Sequence, residues 1–186
     1  MVHLYRFDSL EHWRTTYDQY YQAQNPDYFA LVRPMMLRQE NAFFVAPPVE
    51  ELAADWLREA PPRLPAGTAL PAGLDPGALC VVETIIDFRP GGLPAYWEAW
   101  RQHGAGVGAP ARGHTLSVLV SLVGRLHRVL RYQCFASPDD TQAHAKALAA
   151  DPRWAAFVGA TEGWVAATAT TFLRPAPLRS RRSLFE

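Results

Sequence analysis

The chain has 186 residues, of which 49% are hydrophobic, and its 18 Lys and Arg residues balance its 18 Asp and Glu residues. Zero net charge excludes a general electrostatic attraction to nucleic acid or to an anionic membrane. The sequence contains no run of about 20 apolar residues that would span a bilayer, and its N-terminus has no signal-peptide pattern. We therefore predict a soluble cytoplasmic protein of one or two small domains, without nucleic-acid or membrane partners.

The N-terminal part, residues 1–59, begins with a strand pattern and continues into a helix whose apolar side chains recur at helical spacing. An Asn-Pro pair then favours a second short helix, because Asn caps a helix and Pro fits its first turn. A strand and a trailing helix follow. The predicted elements are a strand at 2–9, helices from residue 10 and from Asn25, a strand at 40–47 and a helix at 49–60.

Residues 60–78 are dense in Pro and Gly and show neither helical nor alternating spacing, which is typical of a linker. The following stretch, residues 79–177, has the element order βαββαβ and predicts one complete ferredoxin-like unit of the α+β class. Residues 178–186 form a basic tail. The predicted elements of the complete unit are strands at 80–88, 114–123, 127–135 and 168–175, a helix carrying Leu93, Tyr96, Trp97 and Trp100, and a helix from about Asp139 with a second Asx-Pro pair at 151–152.

An internal repeat relates the two parts at a shift of 128 residues, once a two-residue difference in the helix is absorbed. It aligns Phe7, Ser9, Phe44 and Pro47 with Phe135, Ser137, Phe172 and Pro175. The N-terminal part therefore corresponds only to the second half of the fold, a C-terminal half unit that lacks the central strand of its sheet. We expect its two strands to close up, to borrow a strand from another molecule or to leave backbone groups unpaired.

The alignment also places Met1 on Val129, inside a strand. An ordinary domain seldom begins within a strand. We therefore expect an N-terminal truncation, either because a start codon is assigned within a longer reading frame or because the protein is genuinely shortened.

Four segments, in the right order, resemble the NIPSNAP family. They are the strand-to-helix segment VHLYRFDSL, the helix start FRPGGLPAYWEAW, the turn GRLH before the third strand and the helix segment ALAADPRWAAFV. The resemblance implies a ferredoxin-like fold that pairs into dimeric α/β barrels, related in shape to small cofactor-free monooxygenases and haem-degrading proteins. It implies no settled biochemical activity.

The C-terminal unit departs from the family pattern in two strands. Arg131, Gln133 and Cys134 stand where the family typically has His, an aromatic residue and Arg, and VVETIIDF replaces the usual ELRTY. The N-terminal part matches that pattern at three positions, His3, Tyr5 and Arg6. Any activity that these positions carry in the family is therefore not implied for the complete unit.

No sequence motif predicts a cofactor once its position among the predicted strands and helices is considered. GVGAPA has the spacing of a dinucleotide-binding loop, but it follows a helix and contains Pro, whereas such a loop must follow a strand and open a helix. No nucleophile elbow, P-loop or zinc-protease motif is present, and neither the six His nor the two Cys residues have metal-ligand spacing. We therefore predict no cofactor and no metal.

Polar residues on the predicted strands provide the candidate ligand-binding site. Successive side chains alternate faces, so Glu83 and, on another strand, Arg131 and Gln133 lie on defined sides and could meet. If they face the helices, they form a polar anchor in an aromatic cavity with Tyr96 and Trp97. The alternative is a compensated ion pair or a dimer contact, with the Trp residues in the core. The corresponding candidates in the partial unit are His3, Tyr5 and Arg6.

Our first functional hypothesis is a non-catalytic or weakly catalytic NIPSNAP-like protein that holds a small apolar or aromatic ligand. It assembles through its sheets, as a homodimer or by pairing of the two parts within one chain. A cofactor-independent monooxygenase or isomerase is the alternative by analogy of fold, and it would enclose Glu83 or a His in its pocket. A third hypothesis is a protein-interaction module that uses the linker and the basic tail.

Overall fold

The computed structural model describes residues 7–19, 30–31, 33–35, 40–49, 52, 80–104 and 115–174. The chain divides into two compact units, residues 1–41 and 42–186. In the first unit, helix α1 (Leu10–Tyr17) confirms the predicted helix. Its N-cap is Ser9, whose hydroxyl accepts a hydrogen bond from the backbone N–H of His12. The predicted strand at 2–9, apart from its last three residues, and the helix from Asn25 lie outside the described residues.

The second unit is built on an open five-stranded sheet. Its strands are β1 (Phe43–Val45), β2 (Cys80–Phe88), β3 (Thr115–Val123), β4 (Arg128–Phe135) and β5 (Val165–Leu173). Their order is β1-β3-β4-β2-β5, and every neighbouring pair is antiparallel. The first strand of the βαββαβ unit, β2, thus lies between β4 and β5, which is the ferredoxin-like arrangement. The predicted α+β fold is confirmed.

Three α-helices lie in the described part of this unit. They are α2 (Gly92–Ala99), which continues as a π-helical turn over Trp100–Gly104, α3 (Pro138–Ala149) and α4 (Pro152–Thr161). The predicted RPGG turn leads into α2 through Gly91, whose positive φ of 84° favours glycine. The side chains of Ser137 and Asp151 cap α3 and α4 by accepting hydrogen bonds from backbone N–H groups. Local turn and cap chemistry therefore sets where each helix begins.

The short strand β1 pairs with the edge strand β3, so that Phe44 lies opposite Ser121. The predicted boundaries place this strand in the partial unit at 1–59, whereas the structure places it in the second compact unit, because its backbone pairs there. The backbone of β1 is therefore paired along the edge of this sheet. In the helix predicted at 49–60, the described residues Val49 and Leu52 are both buried in the core of this unit.

The helices pack on one face of the sheet, which we call the helix face, through an aromatic core. Phe157 of α4 lies at its centre and contacts the rings of three other aromatic residues. The buried core residues here are Val49, Leu52, Phe88, Tyr96, Trp97, Ala99, Trp100, Val118, Val129 and Phe157. Among the described residues, no helix combines the length and hydropathy that a membrane crossing requires.

Candidate functional site

The register of β2 and β4 sends their polar side chains to two different faces of the sheet. Thr84 lies directly opposite Arg131, so Arg131 and, two residues further on, Gln133 share the helix face. Glu83 lies directly opposite Tyr132, and both therefore point to the other face. The prediction that Glu83 and Arg131 meet is wrong, because directly opposed residues share a face and these two are offset by one position.

A small pocket lies on the helix face, between the sheet and the helices. Its walls come from α2 and the π-helical turn after it, from β3 and β4, and from Leu52. The lining residues are Leu52, Tyr96, Trp100, Thr115, Val118, Arg131 and Gln133. Only about 10 Å³ of it is wide enough for the centre of a water molecule, which is close to the room that one buried water needs.

Arg131 is the cation of this pocket. Its Nε is buried and has no hydrogen-bond partner among the described residues. Burial lowers the pKa of Arg131 from its ordinary value, and the nearby Tyr96 hydroxyl opposes that change. A guanidinium loses its proton only at a very high pH, so it remains charged near neutrality. The pocket therefore contains a positive charge with an unused N–H donor.

Trp100 supplies a second unused donor. Its indole Nε1 is buried without a hydrogen-bond partner among the residues that the structure describes. A Cβ at Gly104 would come within 2.5 Å of the Trp100 ring, so a glycine there lets the backbone of the π-helical turn pass close to the indole. This close approach holds the Trp100 ring at the wall of the pocket.

Gln133 and Tyr96 complete the polar lining. The side-chain amide of Gln133 lies 3.5 Å from the Nε2 of His144 on α3, a long contact whose donor depends on the histidine tautomer. Burial raises the pKa of Tyr96, so its hydroxyl stays protonated and able to donate. Two polar groups of the pocket, those of Arg131 and Trp100, can only donate, and they lie among apolar side chains.

On the opposite face of the sheet, Tyr132 donates a hydrogen bond of 2.5 Å to a carboxylate oxygen of Glu83. Both residues are buried, and burial together with the Glu83 carboxylate raises the pKa of Tyr132. Ser117 lies opposite Tyr132 on β3, and its hydroxyl is buried without a hydrogen-bond partner within the described residues. Glu83 thus accepts a buried hydrogen bond on the opposite face of the sheet and does not line the pocket.

The structure separates the predicted site residues into several groups. Tyr96, Arg131 and Gln133 come together in the pocket, whereas Trp97 is buried in the core, with its ring 4.8 Å from the Tyr96 ring. His3, Tyr5 and Arg6 lie outside the described residues. Within the described ranges, no group of three or more His, Cys, Asp or Glu residues could hold a metal ion.

Sequence reasoning missed four residues that line the pocket, Leu52, Trp100, Thr115 and Val118. Trp100 follows Tyr96 by four positions, and this helical spacing, which the sequence shows, indicates a shared face. Leu52 gives no such signal, because it lies just before the Pro- and Gly-rich linker and reaches the pocket only through the tertiary fold. Val118 and Thr115 enter through the pairing of β3 with β4.

Comparison with known proteins gives consistent matches. The family model described as NIPSNAP matches residues 85–179, which is half of the chain. A NIPSNAP family protein from Agrobacterium tumefaciens is 30% identical, with a TM-score of 0.50, and the match covers 54% of this chain and 99% of that one. No curated protein matches the chain.

Two further solved structures show the same fold at lower identity. An uncharacterised NIPSNAP-like domain protein from Burkholderia xenovorans has a TM-score of 0.51 at 19% identity, covering 57% of this chain and 93% of that one. A second Agrobacterium tumefaciens protein, described as of the nipsnap family with unknown function, has a TM-score of 0.50 at 21% identity, covering 54% and 90%.

Proposed function

Because this chain belongs to the NIPSNAP family, and two solved structures of that family are described as uncharacterised or of unknown function, we propose its function from its own pocket. The proposed function is to bind a small apolar or aromatic ligand between the sheet and the helices. The observation that carries the proposal is a pair of buried donors, Arg131 Nε and Trp100 Nε1, that have no partner among the described residues although both residues line one pocket. Buried donors are normally satisfied, so a ligand that accepts from them would remove their desolvation cost.

The walls of the pocket favour a flat, apolar ligand. Val118 and Leu52 are aliphatic and buried, and the rings of Tyr96 and Trp100 give aromatic contact area. Since the present opening admits little more than a water molecule, a ring must displace part of the wall as it enters. Of the described residues that line the pocket, none is Glu83 or a His. These lining residues offer groups for binding and no carboxylate or imidazole base, and this favours binding over the monooxygenase or isomerase alternative.

Pocket variants test this proposal with a panel of small aromatic compounds, both neutral and acidic, followed by calorimetry and by tryptophan fluorescence. We expect Val118→Phe to abolish measurable binding, because Val118 is 2% exposed and the larger ring fills the pocket. Leu52→Ala should widen the pocket and strengthen binding of the bulkier compounds. The control is Leu122→Phe on the same strand, where the side chain is 52% exposed and binding should not change. Unchanged binding in Val118→Phe would contradict the proposal.

We also propose that the sheet assembles within one chain. In the repeat, β1 corresponds to β5, and it covers the free edge of β3. The two aligned serines, Ser9 and Ser137, support the repeat, because both are N-caps with φ near −155° and ψ near 165°. Pairing of two parts of one chain then takes the place of strand pairing between two molecules, and the homodimer remains the alternative.

A designed disulfide distinguishes the two forms of assembly. Phe44 and Ser121 are directly opposed across β1 and β3, and such positions suit a disulfide. We expect the double variant Phe44→Cys with Ser121→Cys to form, on oxidation, a crosslink within one chain that leaves the mass of a monomer. Each single variant serves as a control and should form no such crosslink. A covalent dimer from the double variant would instead mean that β1 comes from a second copy.

A further inference from the structure

We propose that the ligand of the Arg131 pocket is a small carboxylic acid, held in its ionised form with its carboxylate on Arg131 and its apolar body against the aromatic wall. This inference rests on the proposed ligand binding and adds the charge of the ligand. It follows from the charges and donors that surround the pocket.

The charge of Arg131 has no counter-ion among the described residues. Both carboxylates of β2 have other partners. Glu83 accepts a hydrogen bond from Tyr132 on the opposite face, and Asp87 accepts two hydrogen bonds from Arg128, at 2.7 and 3.0 Å. Arg128 lowers the pKa of Asp87, as expected of a formed ion pair. Of two arginines on β4, Arg128 is thus paired with a carboxylate, whereas Arg131 pairs with none of the carboxylates that the structure describes.

A buried cation without a partner is costly for the folded state. Among the residues that the structure describes, no Asp or Glu lines the pocket. A bound anion would therefore offset the free-energy cost of burying the Arg131 charge, whereas a bound neutral ligand would not. The pocket should therefore prefer an acid to a neutral aromatic compound of the same shape.

The available hydrogen bonds also match a carboxylate. Arg131 Nε and Trp100 Nε1 can only donate, and the Gln133 amide can turn a donor toward the pocket, since its present contact with His144 is long. A carboxylate has two oxygens that accept several hydrogen bonds, and it pairs with a guanidinium in a bidentate geometry. An amine or other cation would be repelled by the same groups.

Matched pairs of probes test the inference by calorimetry on the full chain. The pairs are benzoate with benzamide and phenylacetate with phenylacetamide, which differ mainly in charge. We expect each acid to bind at least about tenfold more tightly than its amide, the range of a charge-assisted hydrogen bond. Arg131→Met should remove this preference, and Arg131→Lys should keep part of it. Arg101→Gln, which removes an equal charge from an exposed pair with Glu98, should leave it unchanged.

A spectroscopic measurement on the wild-type chain keeps the test valid if Arg131→Met does not fold. The Nε–H resonance of Arg131 in a ¹⁵N spectrum should shift on addition of benzoate and stay in place with benzamide. Equal binding of acid and amide, or an acid preference that persists in Arg131→Met, would overturn the acid inference and leave ligand binding intact. Failure of every probe, neutral and acidic, would overturn the proposed function and the inference together.

Discussion

Replacing Phe157 by Ala is expected to lower the free energy of unfolding by about 3–5 kcal/mol, the usual cost of removing a buried aromatic ring. Phe157 is 3% exposed and lies where α4 meets α2. Its ring centroid is 5.2 Å from that of Tyr96, 5.4 Å from that of Trp100 and 5.2 Å from that of Trp154. The cavity left by Ala removes all three contacts, and these large rings can collapse into it only in part.

The measurement is equilibrium denaturation, followed by circular dichroism. The matched control is Phe172→Ala on β5, because Phe172 is the same residue type but is 61% exposed. We expect that control to change the free energy of unfolding by no more than about 0.5 kcal/mol. Equal losses for the two variants would contradict the core described above. Since Phe157 packs against two residues that line the pocket, its loss should also weaken ligand binding.

Replacing Tyr132 by Phe is expected to cost about 2–3 kcal/mol of folding free energy, more than an average hydrogen bond, because the acceptor is a buried carboxylate. The hydroxyl of Tyr132 is the donor that the structure shows for Glu83, which is only 8% exposed. Phe preserves the shape of the ring, so the loss reports mainly on the carboxylate that is left without its donor.

A double-mutant cycle separates this effect from packing. Glu83→Leu with Tyr132→Phe removes both polar partners, and we expect the double variant to regain most of the stability lost in Tyr132→Phe alone. The free energies of unfolding of the wild type, the two single variants and the double variant give the coupling between the two side chains. Additive losses would mean that the hydrogen bond contributes nothing to folding.

The elements of the complete unit were predictable because their signals are local. The β-branched run of β2, the turn through Gly91, and the caps Ser137 and Asp151 each act within a few residues of chain. The start of the last strand was predicted less well. β5 begins at Val165 and not at Thr168, because pairing with β2 extends it beyond its own strand pattern.

The candidate site was predictable only in part. Alternation along β4 correctly placed Arg131 and Gln133 on one face, and helical spacing brought Tyr96 to them. The sequence reasoning also placed Glu83 in this pocket, whereas the structure places it on the opposite face of the sheet. It selected Trp97, whereas Trp100 lines the pocket. Each of these choices required knowing which side of a strand or helix faces which neighbour.

By itself the sequence determined the order of strands and helices in the complete unit, the membership of a family through four short segments, and the pairs of residues that share a side of each strand. Only the tertiary structure decided that Glu83 meets Tyr132, that the Nε of Arg131 has no partner among the described residues, that Leu52 lines the pocket, and that β1 borders β3. The physical reason is that periodicity and capping act between near neighbours, whereas strand register is set by hydrogen bonds between distant segments. A shift of one residue in register exchanges the two faces of a strand without changing its sequence pattern.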